Sequence, residues 1–392
     1  MMGGFRAVVF IGMNPWHFTA INDSVRFLAA ACTEADCLYI DPPPGMRASL
    51  AKPAALLDGA GWDREDCGAV AVYRPPLGFA PVILGLRRQA DKVTAAQFDR
   101  TLTEKYGNHW RDTTLVYISS WSYTQTFFVK SLRPKHLVFH ILDDSLAFPE
   151  IKNNPRVLEN NKLFFSHMMA DSTVVVAVSQ ELAEKYSALY QREVLLLKNG
   201  VDLAHFQQTD TAIPEDMKNI KHPILMYTGS INSWIDLPLL IKLAEDRPDY
   251  SLVLIGHYFA GSADDSLWQT LLGKDNVHWL NSKPFSQLPG YINQAAALLL
   301  PRTGDEHSLA SDPLKLYEYL STGKPVISTS LPALGDFSRF VYVAGREDFA
   351  QVVDQAIAEH NSDLAKEQMA LMENHSWSAR IAELFAKTAG GM

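Results

Sequence analysis

The chain has 392 residues, 47% hydrophobic and 20% charged, with a formal net charge of −9; this predicts two globular domains, each large enough to bury a core. No apolar run approaches the roughly 18 residues a membrane span requires, and the acidic balance excludes a broad nucleic-acid-binding face. Three cysteines, Cys32, Cys37 and Cys67, argue against a disulfide framework and fit a reducing cytosol.

Short β-type runs alternate with helical ones, the pattern of parallel sheets covered by helices. In the first half the expected strands are 7–11, 37–40, 69–73, 114–118, 136–142 and 173–178. The opening MMGGFRAVVFIGM reads as the first strand and not as a leader peptide, because no small-residue cleavage site follows. The next segment, Gly12-Met13-Asn14-Pro15-Trp16-His17, has a glycine that lets backbone approach a ligand and an aromatic pair able to stack on one. A GxGxxG spacing is absent, against a nicotinamide or flavin enzyme. The basic clusters Arg87-Arg88-Lys92 and Lys130-Arg133-Lys135 read first as solvated faces, and otherwise as contacts to an anionic lipid or acceptor. His136 and His140 share a strand face, but no third metal ligand is apparent, so His140 reads as core or ligand-facing. Asp143 and Asp144 end the same strand. Adjacent side chains on extended chain point to opposite sides, so one carboxylate can face a ligand as a general base. The competing reading has both cap the following turn.

Residues 206–221 read as a linker between a domain at 1–205 and one at 222–370, with a last helical segment at 371–392. Strands are expected at 224–227, 251–255, 277–280, 297–300 and 326–328. The turn Gly229-Ser230-Ile231-Asn232 offers backbone N–H groups to a phosphate. The stretch SDPLKLYEYLSTGKPVI reads as a helix of about ten residues, with Ser311 or Asp312 as N-cap, Pro313 at the first helical position and Gly323 as the left-handed residue beyond its end. Lys315 and Glu318 lie one turn apart near its positive end. Together they could place an ammonium on phosphate and a carboxylate on a sugar hydroxyl.

These segments, in this order, resemble GT-B glycosyltransferases of the family 4 kind: NGVDLAHF (199–206), ILMYTGSI (224–231), SLVLIG (251–256), NVHWLNSKPFSQLPGYINQAAALLLP (276–301) and the helix with its Gly-x-Pro-Val ending. The likeness covers most of residues 174–330. The N-terminal half is nearest to transferases of bacterial surface polysaccharides, including teichuronic-acid and xanthan glucuronosyl types. The resemblance implies two Rossmann-like α/β domains with parallel sheets facing across a cleft. It implies a donor site of Gly229, Ser230, Pro284, Asp312, Lys315, Leu316 and Glu318, and an acceptor side of Gly12, Asn14, Trp16, His17 and His140, with Asp143 or Asp144 as base. The final helix would cross back onto the first domain. The expected activity is sugar transfer from a nucleotide diphosphate sugar to a glycan or lipid-linked glycan, without metal or cofactor, in the cytoplasm and with peripheral association at the inner membrane face. Oligomeric state stays open.

This chain departs from the pattern in two ways. Relatives carry an arginine and a lysine after the glycine turn, where Ser230 and a residue near Ile235 stand. Many retaining relatives carry a glutamate eight positions before the helix glutamate, where Ala310 stands; Asp305, Glu306 or Asp312 could substitute, so retention and inversion stay open. An Asp-x-Asp motif is absent. A nucleotide-sugar epimerase of this fold and a non-catalytic sugar-nucleotide scaffold are the alternatives.

Overall fold

The computed structural model describes residues 4–17, 23–42, 62–75, 87–119, 126–208, 211–261 and 264–389, with the side chains of 87–90 and 149–150 outside that description. The chain divides into two compact units, Met1–Lys198 with Arg380–Met392, and Asn199–Ala379.

In the first unit eight strands form one sheet: β1 (Ala7–Ile11), β2 (Asp36–Ile40), β3 (Asp63–Cys67), β4 (Val70–Arg74), β5 (Thr114–Ile118), β6 (His136–Ile141), β7 (Val174–Ala177) and β8 (Leu195–Leu196). Their order is β3-β4-β2-β1-β5-β6-β7-β8, and every neighbouring pair is parallel except β3 with β4. Apolar runs such as AVVFI and HLVFHI are buried along their whole length, as strands covered on both faces must be. β3 has the sequence DREDC and no apolar alternation. It forms because a tight turn at Gly68 folds it back on β4, and Arg74 on β4 pairs with Asp63 and Glu65. Charge on an edge strand also blocks unwanted sheet extension.

The second unit has a six-stranded parallel sheet: β9 (Ile224–Thr228), β10 (Ser251–Ile255), β11 (Val277–Trp279), β12 (Ala297–Leu300), β13 (Val326–Ser328) and β14 (Val341–Val343), in the order β11-β10-β9-β12-β13-β14. Alternate residues of β9 feed two cores. Ile224 and Met226 face one side with Leu298 and Leu316; Leu225 and Tyr227 face the other with Leu252 and Leu299. The chain moves outward from β9 in one direction and from β12 in the other. The switch point of this sheet therefore lies at the carboxyl ends of β9 and β12, where open parallel sheets hold ligands. In the first unit the equivalent point is at β1 and β5.

The boundary at Lys198 and Asn199 precedes the expected linker, and residues 199–208 and 211–221 pack within the second unit. Phe206 and Met217 are buried in its core, and Asp216 holds Lys283 and Tyr291 at 2.7 and 2.9 Å. Two buried apolar side chains and a paired carboxylate explain why a polar-looking segment is structured. The helix around Trp377 contributes its residues from Arg380 onward to the first unit, where Phe385 packs on Phe5.

Candidate functional site

In the second unit, β9 ends at Thr228, whose amide N–H donates to the Tyr319 hydroxyl of the helix Leu314–Ser321 at 2.7 Å. That bond fixes the helix against the end of β9. The following Gly229 has φ +147, and the space beside it holds the Tyr227 hydroxyl and Lys315 Cε, 2.8 and 3.5 Å from where a Cβ would stand. A Cβ on Gly256, φ +153, would overlap the Gly229 carbonyl. Two glycine turns are thus pressed together at the switch point, and both positive φ values favour glycine.

Lys315 Nζ lies 2.5 Å from Glu318 Oε2, with side chains 17% and 4% exposed. Lys315 lies in the first turn of a helix whose leading N–H groups lack intrahelical partners, and Glu318 one turn further on. Gly323 closes the helix at φ +69, as expected. The helix starts at Leu314, however, and Asp312 does not cap it. Asp312 is buried, and its carboxylate accepts from Asn199 N–H at 2.7 Å and from the Tyr317 hydroxyl at 2.7 Å, while Asn199 Nδ2 donates to its carbonyl. It fastens the Asn-Gly-Val-Asp segment to this helix. Leu316 is likewise core, fully buried with Leu298 and Tyr319, and its amide donates to Pro313.

In the turn after β9, Gly229 N–H donates to Ile255 and Ile231 N–H to His257, so these two amides serve the fold; the Ser230 carbonyl accepts from Tyr227. Pro284 is exposed and starts the short helix Phe285–Gln287. Arg302, which the sequence reading missed, lies just beyond β12 at the same switch point. Its guanidinium donates to Ser311 Oγ at 3.0 Å, stacks over Trp234 at 5.4 Å, and lowers the Tyr227 hydroxyl against the larger upward push of burial. Its signal was an arginine directly after the buried run ALLLP. Asp305 caps the helix Glu306–Ala310 through Ser308 N–H.

In the first unit Gly12 is buried at the end of β1, and a Cβ there would overlap the Tyr39 ring. The glycine leaves room for Tyr39. Tyr39 donates to the Asn14 carbonyl at 2.8 Å, Asn14 Nδ2 to Asp23 at 3.0 Å, and Trp16 N–H to Asp41 at 2.7 Å. Trp16 meets Tyr39 edge-on at 5.0 Å, while His17 is exposed and pairs with Glu65 at 3.0 Å.

Asp144 is buried, 2.5 Å from Lys185 Nζ and 3.1 Å from the Tyr186 hydroxyl, both on the helix Gln180–Tyr190. It makes no side-chain cap bond. Its neighbour Asp143 is half-buried. His140 is fully buried against Tyr117, so it does not face an acceptor, and burial pushes its pKa down to about 3. A histidine neutral in the fold but protonated when unfolded below about pH 6.5 adds stability that is present above that pH and lost as pH falls towards 3. The melting temperature is therefore expected to fall below pH 6.5 more steeply for the wild type than for His140→Gln. Equal slopes in a pH series would contradict this. His136 packs edge-on to Phe5 at 5.1 Å.

Lys130 and Lys135 are paired with Asp171 and Asp112 at 3.7 and 2.8 Å; the side chains of Arg87 and Arg88 lie outside the described residues. Among the described residues no helix is long and apolar enough to cross a membrane.

Residues 183–363 match the family described as glycosyl transferases group 1. The chain is 24% identical over 208 residues to TuaH of Bacillus subtilis (strain 168), named for teichuronic acid biosynthesis as a glycosyltransferase. The match covers 50% of this chain and 51% of TuaH, so the chain spans about half the length of the curated relative it matches. Among solved structures it is similar to Anabaena HepE in complex with UDP and glucose (TM-score 0.68, 15% identity, 99% and 100% of the two chains). It is also similar to sucrose-phosphate synthase from Thermosynechococcus elongatus (TM-score 0.66, 14% identity, 97% of each chain). These likenesses establish the GT-B fold.

Proposed function

Starting from residues 183–363, which carry a glycosyl transferases group 1 domain, we propose that the chain transfers a sugar from a nucleoside diphosphate sugar to a hydroxyl of a glycan or lipid-linked glycan. The observation that carries this is the Lys315 and Glu318 pair, set on a helix N-terminus that Tyr319 fixes beside the Gly229 turn at the switch point. Lys315, the helix end and Arg302 would stabilise the leaving diphosphate as its charge develops. Glu318 would exchange Lys315 for a hydroxyl of the donor ribose. Arg302 supplies from β12 the positive charge that relatives place after the β9 turn. A uridine base is supported by the UDP in the similar HepE structure, and a surface-polysaccharide acceptor at a membrane face by the name of TuaH.

Asp143 is the proposed base. Asp144 is committed to Lys185 and Tyr186, which leaves Asp143, half-buried just beyond the end of β6, as the candidate.

A thermal-shift series over nucleoside diphosphates tests the donor site. Ligand at 100 times its dissociation constant stabilises by about 2.7 kcal/mol, so UDP is expected to raise the melting temperature, and no response to any nucleoside diphosphate would contradict the assignment. Because helix-end donors, Lys315 and Arg302 carry the diphosphate, transfer is expected to persist in excess EDTA. Complete loss restored by manganese or magnesium would oppose that reading.

A further inference from the structure

The charged edge of the first unit's sheet carries a cluster to which the proposed reaction assigns no chemical step. Glu65 and Cys67 stand two residues apart on β3, so the strand period puts both side chains on one face. His17, from the turn after β1, reaches the same face. Its Nε2 lies 3.0 Å from Glu65 Oε1, and the imidazole nitrogen, carboxylate oxygen and Cys67 Sγ all lie within 4.8 Å of one another. Tetrahedral ligands on bonds of about 2.0–2.3 Å stand roughly 3.3–3.8 Å apart, so small side-chain movements suffice for one ion to touch all three.

The surrounding charges favour a cation. Glu65 Oε2 faces Arg74, which also reaches Asp63 and Asp41 at 3.3 Å each. One guanidinium therefore meets three carboxylates. Arg74 occupies one oxygen of Glu65 and leaves the other turned towards His17, the arrangement in which an outer partner orients a metal ligand.

We propose that His17 Nε2, Glu65 Oε1 and Cys67 Sγ bind a divalent cation of the zinc class, with water as the fourth ligand. Mixed nitrogen, oxygen and sulfur donors select zinc-like ions over magnesium or calcium, which take oxygen. Cys67 binds as the thiolate, so binding releases its proton: Cys67 S–H and the ion give a metal-bound thiolate and H⁺, with no change in oxidation state. The ion would tie the turn Gly12–His17 to the sheet edge.

Co²⁺ is the probe. One Co²⁺ per chain is expected, with a thiolate-to-metal charge-transfer band in the near ultraviolet that Zn²⁺ abolishes. Cys67→Ser should remove the band and His17→Ala should weaken binding at least tenfold. Cys32 and Cys37 are buried and free and remain in both variants, so a band surviving Cys67→Ser would overturn the proposal. On the unmodified chain, Zn²⁺ should slow alkylation of Cys67 as located by mass spectrometry; an unchanged rate would overturn it without recourse to a variant.

Discussion

Asp143→Asn is expected to retain donor affinity and to lose about 10²–10⁴-fold in turnover, the usual contribution of a positioned general base. The amide keeps the volume of the carboxylate but cannot take a proton from an acceptor hydroxyl. Asp144→Asn should behave differently. Asp144 is buried while Lys185 is 41% exposed, so solvent takes over part of the lost ion pair, and the cost is about 1–2 kcal/mol of stability with most activity kept at low temperature. Turnover, donor affinity and melting temperature measured on both variants separate the two roles. Near-wild-type turnover in Asp143→Asn would remove it from the mechanism, and so would retention of anomeric configuration, because a one-step displacement assisted by a base inverts it.

Lys315→Ala should weaken binding of UDP by about 10- to 150-fold, the 1.5–3 kcal/mol of a charge-assisted contact. The same change takes the ammonium away from the buried carboxylate of Glu318, so a lower melting temperature should accompany it. Glu318→Gln provides the complement: it also breaks the pair but leaves Lys315 for the diphosphate. Its expected effect falls on the nucleotide sugar more than on inorganic pyrophosphate. Calorimetric titration of both ligands into both variants checks this, and wild-type affinity throughout would place the donor elsewhere.

Where the fold was legible, it was through buried apolar runs. AVVFI, TLVYI, SLVLI and ALLL occupy the strands their sequences predict, because a strand covered on both faces has no other composition available. β3 escaped notice because DREDC owes its strand to a hairpin and to Arg74, and β8 because two residues carry no period. Local spacing sufficed to place Lys315 and Glu318 one turn apart on a helix and Gly323 just beyond its end. It failed for Asp312, whose partner Asn199 is 113 residues away, and for Gly12, whose missing side chain answers to Tyr39 on the neighbouring strand. Arg302 joins the site only through sheet order, since β12 lies beside β9. Asp144 likewise needed the helix after β7 to reveal its partners.

Sugar transfer is tested most directly by the fate of a donor labelled in its sugar, across a panel of UDP-sugars incubated with purified protein. The expected result is release of UDP, with label passing slowly to water and faster to an added lipid-linked glycan, and slowed by Lys315→Ala. Donor that binds and returns unchanged, or that returns as an epimer without release of UDP, would contradict it.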